Sequence, residues 1–205
     1  MHALNEASMR LGLDALCQRD ASLSKVVADR GPPPLWTRRP GWHTLIRIIL
    51  EQQVSLASGR AIYRRLAADI SPLTAANLSS CSIARLRRSG LTRQKAEYCR
   101  GLAAAIAERR LNLATIARQD DERARDSLCV LKGIGPWTAD VYLLMALRRP
   151  DIWPAGDLAL IKAIEDLYGI ADDAAMLALV ERWRPWRAIA ARILWHDYLD
   201  RRGRS

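Results

Sequence analysis

Apolar residues recur at helical spacing along almost all of this 205-residue chain, and the alternating pattern of strands is nearly absent. The periodicity predicts helices over 4–18, 20–30, Trp42–Glu51, 74–79, 82–88, Arg93–Arg110, 121–131, 137–148, Asp157–Tyr168, Asp173–Trp183 and Trp186–Arg202. Another runs to about Asp69 from Ser55, whose hydroxyl suits an N-cap. Leu45, Ile46, Ile49 and Leu50 fall on one side of the Trp42–Glu51 helix. Between helices the breaks are chemical: Gly31 with Pro32, Pro33 and Pro34 forces an extended linker, and Gln52-Gln53-Val54-Ser55 interrupts the pattern. Gly90, Pro150 and Pro154 stop further segments. The expected fold class is all-α.

Half of the chain is hydrophobic, which is enough for a proper core in one or two domains. The formal charge of +10 and pI near 10.1 raise the expectation of a polyanionic partner, although Arg outnumbers Lys 28 to 4, which also follows from a GC-rich coding sequence. Cys17, Cys81, Cys99 and Cys129 lack metal-ligand spacing and read as thiols of a reducing compartment. No signal-peptide pattern and no run of eighteen apolar residues is present, so a cytoplasmic protein with no membrane partner is expected.

Leu131-Lys132-Gly133-Ile134-Gly135-Pro136-Trp137 reads as a tight hairpin opening a helix. Gly133 and Gly135 permit backbone angles closed to other residues, and Pro136 suits a first helical position. N–H groups of the turn and helix start can then face an anion, with Lys132 adding charge and Thr138-Ala139 packing closely behind. Contacts of that kind position a nucleic-acid backbone without reading bases. An ordinary glycine turn between two helices is the other reading.

About twenty residues on, Asp157 stands between Gly156 and the apolar run Leu158-Ala159-Leu160-Ile161, as a helix N-cap would. Capping alone explains it. A helix N-terminus also favours a charged carboxylate, which suits steadying a sugar cation and makes a poor general acid.

The ordered set Leu131-x-Gly133-Ile134-Gly135-Pro136-Trp137-Thr138-Ala139-Asp140, then Pro154-Ala155-Gly156-Asp157-Leu158, resembles the helix–hairpin–helix (HhH-GPD) DNA glycosylase superfamily. Ile49-Leu50-Glu51-Gln52-Gln53-Val54-Ser55, Gly90-Leu91-Thr92-Arg93-Gln94-Lys95-Ala96 and Arg182-Trp183-Arg184-Pro185-Trp186-Arg187 are similar to its 3-methyladenine glycosylase II (AlkA-type) branch. The likeness covers roughly residues 20–200.

The resemblance implies a two-lobed helical fold, with residues 1–40 and about 140–205 in one lobe and about 41–139 in the other, ending in a helix–hairpin–helix near 121–148. It implies a monomeric enzyme acting on double-stranded DNA with damaged bases and needing no cofactor. Asp157 would be the catalytic carboxylate, steadying the sugar cation or assisting water attack. Leu131, Lys132, Gly133, Ile134, Gly135 and Thr138 would grip the DNA backbone, with a monovalent cation at the carbonyls of Leu131, Gly133 and Ile134. Gln52 and Gln53 sit where the family inserts a wedge behind the flipped nucleotide; a solvated interhelix turn is the alternative. Lys132, Arg184 and Arg187 would serve phosphates.

Bifunctional members, which also cut the strand, carry Lys where this chain has Trp137, so the resemblance implies a monofunctional hydrolase. Trp137 and Trp195 would be aromatic walls of a base pocket suited to cationic 3-methyl and 7-methyl purines. Trp42, Trp153 and Trp183 read instead as core. Val141 and Leu158 replace tyrosines of well-known AlkA-type members, so the pocket is built differently, and no Cys follows Cys129 to form the iron–sulfur cluster of another branch. A glycosylase for uracil, mismatches or oxidised purines, and a DNA-binding module without catalysis, remain as alternatives.

Overall fold

The computed structural model describes residues 3–203, and among the described residues the regular structure is helix without strand. In chain order the helices are α1 (Glu6–Arg19), α2 (Ala21–Arg30), α3 (Trp42–Glu51), α4 (Leu56–Asp69), α5 (Ala75–Ser79), α6 (Ile83–Arg88) and α7 (Arg93–Ala107). They continue with α8 (Leu113–Ile116), α9 (Asp121–Cys129), α10 (Pro136–Met145), α11 (Leu158–Tyr168), α12 (Asp173–Glu181) and α13 (Arg187–Arg201). None of the described helices is long and apolar enough to cross a membrane.

The chain divides into two compact units, one spanning Arg38–Tyr142 and the other joining the segment up to Thr37 with everything from Leu143 onward. Within the Arg38–Tyr142 unit, α7 packs against α3, α5 and α6, and α3 against α4. Leu45, Ile46, Ile48, Ile49 and Leu50 of α3 are wholly buried there. Each such aliphatic side chain contributes about 1.5–3 kcal/mol on leaving water.

In the other unit α13 is the central rod, packed on α1, α2 and α11. Its run from Ala188 to Trp195 is buried throughout, including Arg192, which donates to the carbonyls of Ala188, Trp36 and Leu144. Burial pushes the Arg192 pKa down to about 10. Gly12 lets α1 approach α13 closely, since a Cβ there would lie 2.3 Å from Ile189 Cδ1. Asp20 caps α2 through the amides of Ser22 and Leu23 and also accepts from Tyr168 and the indole of buried Trp183.

Most helix starts are specified by a side-chain oxygen: Asn5, Asp20, Ser55, Thr74, Ser82, Thr92, Asn112, Asp120, Asp157 and Asp172 each accept an amide of the first turn. Helix ends are harder to read from sequence. The helix expected to reach Arg110 stops at Ala107, because Arg109 turns left-handed (φ 56°) and Leu111 N folds back to Ala105 O at 3.0 Å. The one expected to reach 148 stops at Met145, where Arg148 (φ 55°) and the Arg149 N to Leu143 O bond reverse the chain. Helix α8 has no counterpart among the helices expected from periodicity, being a single turn whose one signal is Asn112 ahead of Leu113-Ala114-Thr115-Ile116.

Candidate functional site

The Arg38–Tyr142 unit builds the hairpin between α9 and α10. A salt bridge of 2.6 Å from Arg125 to buried Asp140 ties these two helices together. Ile134 is buried as the hairpin's anchor, and its N–H donates to Leu131 O at 3.0 Å. Gly133 has φ 95°, and a Cβ there would meet the Tyr98 ring at 2.2 Å, so conformation and close approach both require glycine. Gly135 corrects the expectation made for it: its φ is not left-handed, and a Cβ would enter open space. Lys132 is exposed beside a groove of about 420 Å³ that Gln52, Gln53, Lys95, Tyr98 and Gly135 also line.

The other unit builds the carboxylate. Gly156 (φ 78°) turns the chain, with Asp157 N donating to Pro154 O at 3.2 Å, and Asp157 then caps α11. Its Oδ1 accepts from Ala159 N at 3.0 Å, Leu160 N at 3.1 Å and Trp195 Nε1 at 3.2 Å. Trp195 reaches it from α13, which packs along α11. Leu158 beside it is 77% exposed.

A glycine hairpin is thus followed along the chain by an acid held at the next helix start. The model of the HhH-GPD superfamily of base excision DNA repair proteins matches residues 46–188. The chain belongs to that superfamily.

Among HhH-GPD relatives, DNA-3-methyladenine glycosylase 1 of Schizosaccharomyces pombe is 26% identical over 201 residues, covering 94% of this chain and 87% of that protein. The crystal structure of a DNA-3-methyladenine glycosidase from Bacillus halodurans is 25% identical with a TM-score of 0.76, covering 91% of this chain and 88% of the other. Other relatives are longer: one from Bacillus subtilis is 28% identical over 190 residues, 86% of this chain, which spans only 65% of that protein's length.

Within this HhH-GPD chain the expected site residues fall into two sets. Asp157, Leu158 and Trp195 share one unit, while Trp137, buried Val141 and the hairpin belong to the other, with Trp137 half-buried on α10. The two glutamines separate. Gln53 is exposed at the tip with φ 56°, whereas Gln52 turns inward, its Nε2 donating to Gly133 O at 3.0 Å and Thr138 Oγ1 at 2.8 Å. Gln52 is thus committed to the hairpin rather than to insertion.

The carbonyls expected to hold a monovalent cation suit one chemically. Leu131 O and Gly133 O each already accept one hydrogen bond, which leaves each a second lone pair. Neutral oxygens without a carboxylate suit an alkali ion better than a divalent one. No cluster of His, Cys, Asp and Glu that could hold a metal ion occurs among the described residues.

Arg184 and Arg187 depart from the role expected of them. Asp151, itself buried, accepts from Arg184 at 2.8 Å and from Arg187 Nε at 2.9 Å, and both guanidinium groups also meet Glu181. The Arg-Trp-Arg-Pro-Trp-Arg segment thus seats Trp183 in the core and pairs both of these arginines with carboxylates. Lys95 lies in one of the family-like segments, where sequence alone assigns it no role. Its Nζ donates to Leu50 O at 2.8 Å and Gln52 O at 2.7 Å, and only the fold brings those carbonyls to it.

Proposed function

We propose that this chain is a monofunctional DNA glycosylase that removes alkylated purines, of the 3-methyladenine and 7-methylguanine type, from double-stranded DNA. The observation that carries the reading is the Asp157 carboxylate, fixed by two amides and the Trp195 indole in a chain whose full-length relatives bear the name DNA-3-methyladenine glycosylase. Three N–H donors hold Asp157 Oδ1 in one place. Asp157 acts by steadying positive charge on the deoxyribose as the glycosidic bond breaks.

The bond between C1′ and the purine nitrogen breaks with its electron pair leaving on the base, and water adds hydroxide to C1′ while its second proton goes to solvent. The products are free base and an abasic site. An alkylated purine carries its own positive charge, so its departure needs no strong acid. The indole face of Trp195, beside Asp157, favours such a cationic ring by about 0.5–2 kcal/mol. Trp137 supplies no amine where bifunctional relatives carry Lys, so no Schiff base forms from that position. The hairpin residues Leu131 to Gly135, with Thr138 behind them, hold the backbone, and Gln53 fills the gap left by the flipped nucleotide, whose extrusion costs a few kcal/mol.

The test is incubation of wild type and Asp157→Asn with methylated duplex, followed by identification of released bases. Release of 3-methyladenine or 7-methylguanine by wild type alone supports the reading. Release of only uracil or hypoxanthine from matching substrates reassigns the substrate, no release from any of them leaves a DNA-binding module, and a covalent complex trapped by borohydride refutes the monofunctional assignment.

A further inference from the structure

The turn after α3 must present Gln53 outward, yet its own backbone does little to fix it. Gln53 stands in the left-handed region (φ 56°), where a residue with a Cβ is disfavoured. The neighbouring backbone bonds are long: Gln52 N to Ile49 O is 3.3 Å and Val54 N to Glu51 O is 3.5 Å. Side chains from two other elements supply what the backbone lacks.

Lys95, in the first turn of α7, donates to Leu50 O and Gln52 O. These carbonyls lie at the C-terminal end of α3, where the helix dipole favours a cation. Gln52 then reaches the other way, donating to Gly133 O in the hairpin and to buried Thr138 Oγ1 at the start of α10. The end of α3, the start of α7 and the hairpin therefore meet through one residue, immediately before Gln53. Partial burial of Lys95 lowers its pKa, the mark of an ammonium group drawn out of water into this junction.

We infer that Lys95 and Gln52 form a clamp that locks the Gln53 tip to the DNA-gripping hairpin, so that backbone binding and wedge insertion operate as one rigid element. This rests on the glycosylase reading above. Lys95 is a positioning residue: it acts on the nucleotide only through Gln53. Without the clamp the hairpin still holds duplex, but the tip no longer keeps the flipped state open.

A duplex carrying 2-aminopurine next to a methylated purine reports unstacking by a rise in fluorescence, separately from chemistry. Wild type, Lys95→Met, Gln52→Leu, Lys95→Arg and Gln53→Ala are compared for this signal, for single-turnover base release and for affinity toward undamaged duplex. Lys95→Met and Gln52→Leu are expected to lose the fluorescence rise and to slow release roughly ten- to hundredfold, the scale for a lost charge-assisted hydrogen bond. Their affinity for undamaged duplex should fall far less than their rate of release. Lys95→Arg, which can still donate to both carbonyls, should restore most of the signal. Combining Lys95→Met with Gln53→Ala should add little to either alone.

Should Lys95→Met melt below the assay temperature, Gln52→Leu, which leaves the Lys95 bonds in place, decides between the outcomes. Full fluorescence and release in the folded variants, or additive effects of Lys95→Met and Gln53→Ala, overturn the clamp while leaving the glycosylase reading intact. If wild type neither unstacks nor releases a base, the glycosylase reading fails first and the clamp fails with it.

Discussion

The starts of α10 and α11 are built in opposite ways. Helix α10 begins at Pro136 after Gly135, a residue with no side chain and open space where one would project. Helix α11 begins after Asp157, whose Oδ1 takes up the amides of Ala159 and Leu160. Both ends carry the partial positive charge of a helix N-terminus. On the proposed reading the first receives an anion from outside, a DNA phosphate. The other brings its own anion and holds it at a fixed angle, as acting on a sugar cation requires. On that reading the same backbone physics gives a binding element or a reactive group according to whether the residue before the helix carries a side-chain acceptor.

The largest effect separates these two uses at Asp157. Asn caps a helix as well as Asp does, so Asp157→Asn should leave the melting temperature nearly unchanged. Base release should fall by about 10²–10³-fold or more, the scale for removing a key electrostatic group. Asp157→Ala should lose the activity and about 1 kcal/mol of stability as well. Thermal melts beside single-turnover release check both; an active Asp157→Asn would reduce the residue to a cap and break the contrast.

The two hairpin glycines sharpen it next. Gly133→Ala forces a methyl group to 2.2 Å from the Tyr98 ring at φ 95°, and should cost about 2–4 kcal/mol of stability. Gly135→Ala meets nothing in the protein, so its stability should change by less than about 0.5 kcal/mol. On the proposed reading its new methyl group would instead stand in a phosphate's way, weakening duplex binding roughly tenfold. Equal stability losses in both variants, or wild-type binding by Gly135→Ala, would show that the second glycine serves the fold rather than the ligand.

How far the sequence reaches differs between these features for a physical reason. Caps are local, so Asp157, Ser55 and most helix starts can be read from a few adjacent residues. The all-α class follows from periodicity, and the family from an ordered set of motifs. Helix ends depend on left-handed residues such as Arg109 and Arg148, which carry no glycine signal. Long-range partners are out of reach. Nothing near Arg187 announces that Asp151 will neutralise it, and nothing near Gln52 says that its amide will find Gly133 and Thr138. The same holds for Lys95, whose two acceptors lie more than forty residues away in sequence.

Trp195 tests how tightly the internal anion must be held. Trp195→Phe keeps an aromatic face and removes the 3.2 Å bond to Asp157 Oδ1. The two backbone amides remain, so base release should slow by roughly tenfold, well short of the loss in Asp157→Asn. Equal losses in the two variants would mean that the indole, not the helix start, fixes the carboxylate.

Lys132 gives the smallest effect and tests the other side of the contrast. It is exposed on the hairpin, and the proposed reading gives it a single neutralised phosphate rather than a shaped contact. Lys132→Ala should reduce the slope of log affinity against log salt by about 0.9 and weaken binding alike on damaged and undamaged duplex. At saturating enzyme the single-turnover rate should match wild type, because the carboxylate proposed to do the chemistry is untouched. A changed saturating rate would place Lys132 in the reaction itself, and the division between a helix start that grips and a helix start that reacts would no longer hold.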